Sequence, residues 1–227
     1  DANGAVAVPG LLEQVLAPSA LERSELRKLP FDDAKFRADG GVLAGVAEVG
    51  EPGFSIYEKI WLRPSITVIA IEASPIKGSS NQIIPSARAR VSLRLVPDMD
   101  PQKCSDLLVA HLKKLAPWGV QLKVEPESAG PAWLCVPEGP AFEAARRALA
   151  KGFGREVALI GAGGSIPFVG PFAAAFGGAP ALLVGLEDPI CNAHSENESL
   201  HLGDWKKAMR GACYLYDELA RADVKRR

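Results

Sequence analysis

The sequence predicts a mixed fold, in which an α+β part is followed by an α/β part. In the first half, two strand patterns precede a helix and a further strand, an order typical of an α+β sheet of the split β-α-β kind. In the second half, helix and strand patterns alternate, which indicates parallel strands joined by helical crossovers. Residues 126–131 are rich in Pro, Glu, Ser and Gly. We therefore expect a domain boundary that separates residues 1–127 from residues 128–227.

The first half opens with helical patterns. Ser19 and Glu22 have the spacing of a capping box, and Pro30 ends the helix that follows them. A second short helix is expected over Asp32–Arg37. The continuous β-branched run Ile66–Ile71 then predicts a buried strand.

Three further elements complete the first half. Charged and apolar residues alternate over Arg88–Leu95, which predicts a half-buried strand. Asp100 and Pro101 begin an amphipathic helix that extends to Leu115, with proline at its first position. Val120–Val124 is interpreted as another strand.

The second half is predicted as helix, strand, helix, strand and helix. The elements, in chain order, are Pro140–Phe153, Val157–Ile160, Phe172–Phe176, Ala181–Leu186 and Asp204–Ala220. The two strand patterns are short and apolar, as strands buried between helices are.

Composition excludes several classes of protein. The 227 residues include 26 Lys and Arg against 27 Asp and Glu, a net charge of −1, which disfavours a nucleic-acid binder. No apolar run approaches the roughly 20 residues that span a membrane. The sequence begins without a methionine or a signal-peptide pattern, so we expect a cytoplasmic protein whose chain starts within a longer one. The cysteines form no C-x-x-C pair and are expected to be small buried residues: Cys104, Cys135, Cys191 and Cys213.

A glycine-rich segment, Gly161–Pro167, follows a predicted strand. It lacks the lysine of a nucleotide phosphate loop, and Pro167 and Pro171 stand where the helix of that motif would run. Its open backbone and the Ser165 hydroxyl suit an anion or a carboxylate. A plain turn is the alternative.

Two other segments carry polar groups suited to a site. Asn192–Glu198 follows the predicted strand Ala181–Leu186, and its His194 is either a zinc ligand or a solvated or capping residue. Arg94 lies on the charged strand, and with Asn81 it is suited to binding a carboxylate. A surface ion pair is the other interpretation of Arg94.

Taken together, these segments resemble the M20 metallopeptidases, a family that includes carnosinase-like dipeptidases, acetylornithine deacetylase and succinyl-diaminopimelate desuccinylase. Ser79–Pro85 and Arg88–Pro97 are similar to its lid, or dimerisation, domain. Gly163–Pro167 is similar to the substrate loop of its dipeptidases, and Asn192–Glu198 to the segment that bears its last metal ligand. The resemblance implies a ferredoxin-like lid domain followed by the C-terminal half of a zinc-peptidase α/β catalytic domain.

The resemblance also implies roles for single residues. His194 would bind one of two zinc ions. Arg94 would hold the terminal carboxylate of the substrate in the active site of the partner subunit of a homodimer. Asn81 would contact the substrate, or Gln82 in its place if Pro85 sets the alignment. The remaining implied residues are Gly163, Gly164 and Ser165 in the substrate loop and Glu198 as a support for the metal-ligand loop.

The chain departs from the family pattern in several respects. It contains no His-x-Asp pair and no Glu-Glu pair, so it lacks the general base and most metal ligands that the resemblance implies. A catalytic zinc needs three protein ligands, and we expect this chain alone to bind zinc poorly and to be inactive. Joined to an N-terminal catalytic half, it would hydrolyse the amide bond of dipeptides or N-acyl amino acids. The alternative is a non-catalytic module for dimerisation or carboxylate binding.

Overall fold

A computed structural model describes residues 1–127, 129–162 and 168–222. No helix within these ranges is both long enough and apolar enough to cross a membrane. The helices and strands of the described ranges are α1 (Ala20–Lys28), α2 (Asp33–Asp39), α3 (Ile56–Leu62), β1 (Ser65–Glu72), β2 (Arg88–Arg94), α4 (Pro101–Leu115), α5 (Pro140–Phe153), α6 (Val169–Ala175) and α7 (Leu202–Arg221).

The chain divides into two compact units. The first consists mainly of Asp1–Ser19 and Val49–Trp133, and it contains α3, both strands and α4. The second comprises Ala20–Glu48, Leu134–Gly161 and the described residues from Phe168 onward. Helices α1 and α2 therefore belong to the same unit as α5, α6 and α7, although they precede the strands in the sequence.

The predicted helices form, and their ends follow local capping chemistry. The Asp32 carboxylate accepts the Lys35 N–H (3.0 Å) at the start of α2, and Asp100 accepts the Lys103 N–H (2.8 Å) at the start of α4. Helix α5 spans the predicted residues and ends at Gly154, which has the left-handed backbone (φ 73°) that favours glycine. Local sequence is thus sufficient to specify these helices.

Sequence reasoning missed α3. The signal was present, because Ser55 and Glu58 form a reciprocal capping box at its start. The Ser55 N–H donates to the Glu58 carboxylate (2.8 Å), and the Glu58 N–H donates to the Ser55 hydroxyl (3.3 Å).

The two strands pair as an antiparallel hairpin. The register runs from Ser65 opposite Arg94 to Glu72 opposite Arg88, with an irregularity between Val68 and Ala70. Both strands were predicted, but the prediction that Ile66–Ile71 is buried is wrong, since most of β1 is exposed. A two-stranded sheet has two faces, and no element of the described ranges covers most of this strand.

Three predicted strands do not form within the described residues: Val120–Val124, Val157–Ile160 and Ala181–Leu186. An apolar or β-branched run favours extended backbone, but a strand also needs a neighbour whose backbone completes the hydrogen-bonded ladder. The described residues supply none for these segments. The split β-α-β order and the parallel layer predicted from them are therefore absent from the described ranges, where helices and one hairpin make up the mixed fold.

The core of the first unit joins its N-terminal segment to α4. Its buried residues are Val8, Leu11, Val96, Met99 and Cys104. Gln14 adds a polar link, since its amide nitrogen donates to the Cys104 sulfur (3.4 Å) and its amide oxygen accepts the Asp100 N–H (3.3 Å). This core holds the helix that follows β2 against residues from the start of the chain.

The cysteines are unpaired thiols. Cys104 and Cys191 are buried, as predicted, and burial raises the pKa of the Cys104 thiol. The prediction is wrong for Cys213, which is exposed on α7. Cys213 is two positions after the buried Gly211, and two helical positions rotate a side chain by about 200°, to the opposite face.

Helices α5 and α7 pack closely in the second unit. The buried residues of α5 are all small: Ala141, Ala144, Ala145, Ala148 and Gly152. Glu218 of α7 accepts a hydrogen bond from Arg147 of α5 (2.8 Å), and the Lys151 ammonium lies 3.7 Å from the same carboxylate. Small residues thus bring the two helices together, and an ion-pair cluster joins their exposed edges.

The Glu218 cluster predicts a dependence of stability on pH. The hydrogen bond from Arg147 is the main reason that the pKa of Glu218 lies below its ordinary value. A lowered pKa contributes stability above the ordinary carboxyl pKa of about 4.3, and this contribution is lost as the pH falls through the lowered value. We expect Glu218→Gln to lower the urea midpoint at pH 7, and the difference from wild type to shrink progressively below about pH 4.

The matched control is Glu187→Gln, which changes an exposed carboxylate of the same unit. Its urea midpoint should follow that of the wild type at every pH. A Glu218→Gln difference of constant size from pH 7 to pH 3 would contradict the role assigned to the ion pair.

Candidate functional site

His194 lies in a loop that backbone hydrogen bonds close on itself. The Ser199 N–H donates to the Cys191 carbonyl (2.8 Å). The Cys191 side chain is buried at the start of the loop. Asn192, His194 and Asn197 all have positive φ, between 58° and 62°, a backbone that asparagine tolerates better than most residues. The alternating conformation turns the chain sharply on either side of His194.

The His194 side chain is exposed, and it has no hydrogen-bond or ion-pair partner in the described part of the chain. Both ring nitrogens are therefore available, and a neutral imidazole is a good ligand for zinc and related metals. Within the described residues, no group of three or more His, Cys, Asp or Glu side chains could hold a metal ion. His194 could therefore supply one ligand to a metal ion, but the described residues do not supply the further ligands that a complete site needs.

His201 has a structural role that sequence reasoning did not assign. It caps α7, where its Nδ1 accepts the Asp204 N–H (3.2 Å) and lies 2.9 Å from the Asp204 carboxylate. Lys207 donates to the same carboxylate (2.9 Å), and this hydrogen bond is the main reason that the pKa of Asp204 is lowered. The cap connects the His194 loop to the longest helix of the second unit.

Arg94 differs from the other arginines of its strand. Arg88, Arg90 and Arg94 alternate along β2 and share one face. The Arg88 guanidinium lies 4.0 Å from Glu72, and Arg90 donates to Glu127 (2.9 Å). Arg94 is exposed and has no carboxylate partner among the described residues. The surface ion pair considered for Arg94 is therefore not formed in those ranges, and its guanidinium is available to a ligand.

Asn81 and Gln82 lie in the loop that joins β1 to β2, and both are exposed. The Gln82 N–H donates to the Ser80 carbonyl (2.7 Å), so Asn81 is the central residue of a three-residue turn. Both amide side chains are accessible to a ligand, and the choice between them stays a prediction.

The other predicted site residues are distributed as follows. Gly163, Gly164 and Ser165 lie outside the described residues. Glu198 is exposed in the His194 loop, and its carboxylate has no partner in the described part of the chain. Arg94 belongs to the first unit and His194 to the second.

Comparison with known proteins connects these features to one family. Residues 21–120 match a family model described as the peptidase dimerisation domain of M20. The chain is 30% identical over 172 residues to a cysteinylglycine-S-conjugate dipeptidase of Corynebacterium striatum, across 75% of this chain and 38% of the relative. It is 26% identical over 221 residues to the Cys-Gly metallodipeptidase DUG1 of Saccharomyces cerevisiae, across 95% of this chain and 45% of the relative. The chain belongs to the M20 peptidase family.

Solved structures show the same fold. The di-peptidase Dug1p of Saccharomyces cerevisiae matches 98% of this chain with a TM-score of 0.83 at 24% identity. Human carnosine dipeptidase 1 matches 97% with a TM-score of 0.82 at 22% identity. The chain covers 47% and 46% of those two structures, so it spans less than half the length of these M20 relatives. The mixed α/β fold class predicted from the sequence is confirmed.

Proposed function

We propose that this chain is part of a zinc-dependent M20 dipeptidase that hydrolyses the amide bond of dipeptides or N-acyl amino acids. The observation that carries the proposal is the exposure of the His194 and Arg94 side chains. The family resemblance names both residues, and the side chains of both are exposed and without partners in the described ranges. The names of relatives, a metallodipeptidase among them, support the reaction class.

In this proposal, Arg94 binds the terminal carboxylate of the substrate. A guanidinium presents two parallel N–H groups to a carboxylate, and the resulting charge-assisted hydrogen bonds fix both the position and the orientation of the substrate. Arg94 suits this role, because it lies on the paired strand β2 and its guanidinium has no carboxylate partner in the ranges that the structure describes. Asn81 or Gln82 and the loop residues Gly163, Gly164 and Ser165 would complete the contacts to the substrate.

His194 is proposed as one of the ligands of a two-zinc centre, with the other ligands supplied by an N-terminal catalytic half. The lack of a three-ligand group in the described residues supports the proposal that this chain alone is inactive. We further propose a cytoplasmic homodimer assembled through residues 1–127, with residues 128–227 as the C-terminal part of the catalytic domain. The match to a dimerisation domain supports the dimer.

The metal role of His194 is tested in the longer polypeptide of which we propose this chain is a part. His194→Ala should remove at least one zinc per chain, measured by elemental analysis, and reduce dipeptide hydrolysis by about a thousandfold or more, since metal catalysis contributes several kcal/mol to the barrier. The matched control, His111→Ala, changes a half-buried histidine of α4 and should keep the metal content of the wild type.

The isolated 227-residue chain provides the complementary measurement. Calorimetric titration with zinc should give no stoichiometric binding in the submicromolar range. Tight stoichiometric binding by the isolated chain, or full metal content in His194→Ala, would contradict the proposed site.

A non-catalytic module is the second candidate, and the match of residues 21–120 to a dimerisation domain favours it. Such a module would dimerise or bind a carboxylate without hydrolysing an amide. The two candidates differ in one observable, the zinc-dependent hydrolysis of a dipeptide by the longer polypeptide. If the zinc-loaded polypeptide cleaves neither dipeptides nor N-acyl amino acids, the module is the correct interpretation.

A further inference from the structure

The turn that follows α4 exposes a tryptophan on an unusual backbone. Trp118 lies between Pro117 and Gly119 and exposes 98% of its surface, so its indole has almost no contact with the described part of the chain. Its φ of 53° lies in the left-handed region, which glycine adopts readily and bulky side chains rarely do. Neither packing nor backbone conformation therefore explains a tryptophan at this position.

Other exposed apolar side chains flank Trp118 on both sides. Leu115 is the last residue of α4 and is 61% exposed, while Val120 and Leu122 follow the turn and are also exposed. Single exposed apolar residues are common on proteins, but four of them within residues 115–122 mark an interaction surface. We refer to these four residues as the Trp118 patch.

The charged side chains next to the Trp118 patch are lysines. No Asp or Glu occurs from residue 107 to residue 124, in a chain that has 27 acidic residues. Lys113 and Lys114, in the last turn of α4, are exposed and have no carboxylate partner among the described residues. Lys123 pairs with Glu125. The patch therefore combines apolar surface with unpaired positive charge.

An anionic lipid bilayer is the partner that fits this combination. Tryptophan favours the membrane–water interface, because its ring is apolar and its indole N–H is polar. Each lysine near an anionic bilayer adds attraction without a fixed contact geometry. A bilayer also accepts a protruding indole without a shaped pocket, whereas a protein partner must supply one.

A second copy of this chain fits the same surface less well. A two-fold symmetric interface brings the same patch of both copies together. If the Trp118 patch lay on the axis, Lys113 and Lys114 of one copy would approach those of the other, and like charges facing each other across an interface are unfavourable. The charges therefore favour an anionic surface over a second lysine-rich one.

We propose that the Trp118 patch binds the chain to the surface of an anionic phospholipid bilayer. The indole enters the boundary between head groups and acyl chains, and Lys113 and Lys114 contact the lipid phosphates. One aromatic side chain and two lysines give weak and reversible binding, far from the insertion of a spanning helix. This role goes beyond the proposed hydrolysis and requires neither zinc nor a dipeptide.

The first test measures cosedimentation of the 227-residue chain with vesicles of phosphatidylcholine and phosphatidylserine in equal parts. Trp118→Gly should lower the partition coefficient by about tenfold or more, because the main apolar anchor is lost. Its Tm should not fall, since glycine suits the left-handed backbone and the indole has almost no contacts to lose. The double variant Lys113→Gln with Lys114→Gln should also lose about tenfold or more at low salt.

Matched controls lie outside the Trp118 patch. Tyr216→Ala removes an exposed aromatic ring from α7, and Lys77→Gln with Lys206→Gln removes two exposed lysines. Both controls should stay within about twofold of the wild-type partition coefficient. Equal binding to vesicles of phosphatidylcholine alone, no binding of the wild type to the mixed vesicles, or an unchanged coefficient in Trp118→Gly would overturn the proposal.

The second test locates the indole directly. Lipids with brominated acyl chains quench tryptophan fluorescence at short range, and they should quench the wild type but not Trp118→Phe. Quenching that persists in Trp118→Phe would place another tryptophan in the bilayer and overturn the proposal.

Two further outcomes would assign the surface to a protein. Binding to polyglutamate without binding to vesicles would indicate an acidic protein partner. Dissociation of a dimer by Trp118→Gly, measured by analytical ultracentrifugation, would indicate a second copy of this chain. Either result overturns the membrane proposal, and neither bears on the His194 prediction.

Discussion

Replacement of Arg94 by alanine in the longer polypeptide is expected to lower kcat/KM for a free dipeptide by about 100- to 1,000-fold. The loss corresponds to about 3–4 kcal/mol, the expected contribution of two charge-assisted hydrogen bonds to one carboxylate. Arg94→Lys should fall between wild type and alanine, because a lysine keeps the charge but not the paired N–H geometry. The measurement is steady-state hydrolysis of a dipeptide and of the same dipeptide with an amidated terminus.

The amidated substrate separates carboxylate recognition from a general defect. Wild-type enzyme should prefer the free carboxylate strongly, and Arg94→Ala should lose that preference while it retains the slow hydrolysis of the amide. Arg88→Ala is the matched control, since Arg88 shares the strand and the face but lies beside Glu72. A preference that survives in Arg94→Ala would assign carboxylate recognition to another residue.

Substitution of Gly152 should have the largest effect on stability. A Cβ at this position would lie 2.6 Å from the Gly211 nitrogen, 2.7 Å from the Gly211 Cα and 2.8 Å from the Lys207 carbonyl oxygen. These atoms belong to the backbone of α7, so the whole helix must move to accommodate a methyl group. Gly152→Ala should lower the free energy of unfolding by about 1–3 kcal/mol, and Tm should fall by roughly 2–10 °C for a chain of this size.

The sign of this effect distinguishes packing from helix propensity. In the interior of a helix, alanine is normally about 1 kcal/mol more favourable than glycine, so an uncrowded site would gain stability. Gly211→Ala is the matched control on the facing helix, because its Cβ would meet the Leu149 Cδ2 at 3.2 Å, the end of a side chain that can rotate away. It should cost much less than Gly152→Ala, and a Gly152→Ala chain as stable as the wild type would contradict the close approach of α5 and α7.

Local interactions explain why the helices and the two strands could be predicted. Pro101 after Asp100, and Gly154 after the Pro140–Phe153 pattern, act within a few residues, so the sequence holds all the information that they need. The spacing of charged and apolar residues similarly identified β2. The capping box of Ser55 and Glu58 carries the same kind of local information for α3.

Burial and pairing depend on distant parts of the chain, and there the sequence was insufficient. The run Ile66–Ile71 specifies a strand, but whether it is covered depends on which element packs against it. Val157–Ile160 and Ala181–Leu186 have strand patterns, yet a ladder requires a partner that the described residues do not provide. An apolar pattern indicates the secondary structure that a segment favours. Tertiary contacts decide whether that segment becomes buried or paired.

The sequence by itself determined the family, the helices and the identity of the candidate residues His194 and Arg94, because each rests on local patterns and residue chemistry. The tertiary structure decided whether these two side chains are exposed and whether they have partners. Glu72 and Glu127 lie beside Arg88 and Arg90, and Arg94 has no carboxylate partner among the described residues. His201 caps a helix, while His194 is exposed. Pairing between charges far apart in the chain arises only when folding brings them together, and no spacing in the sequence encodes it.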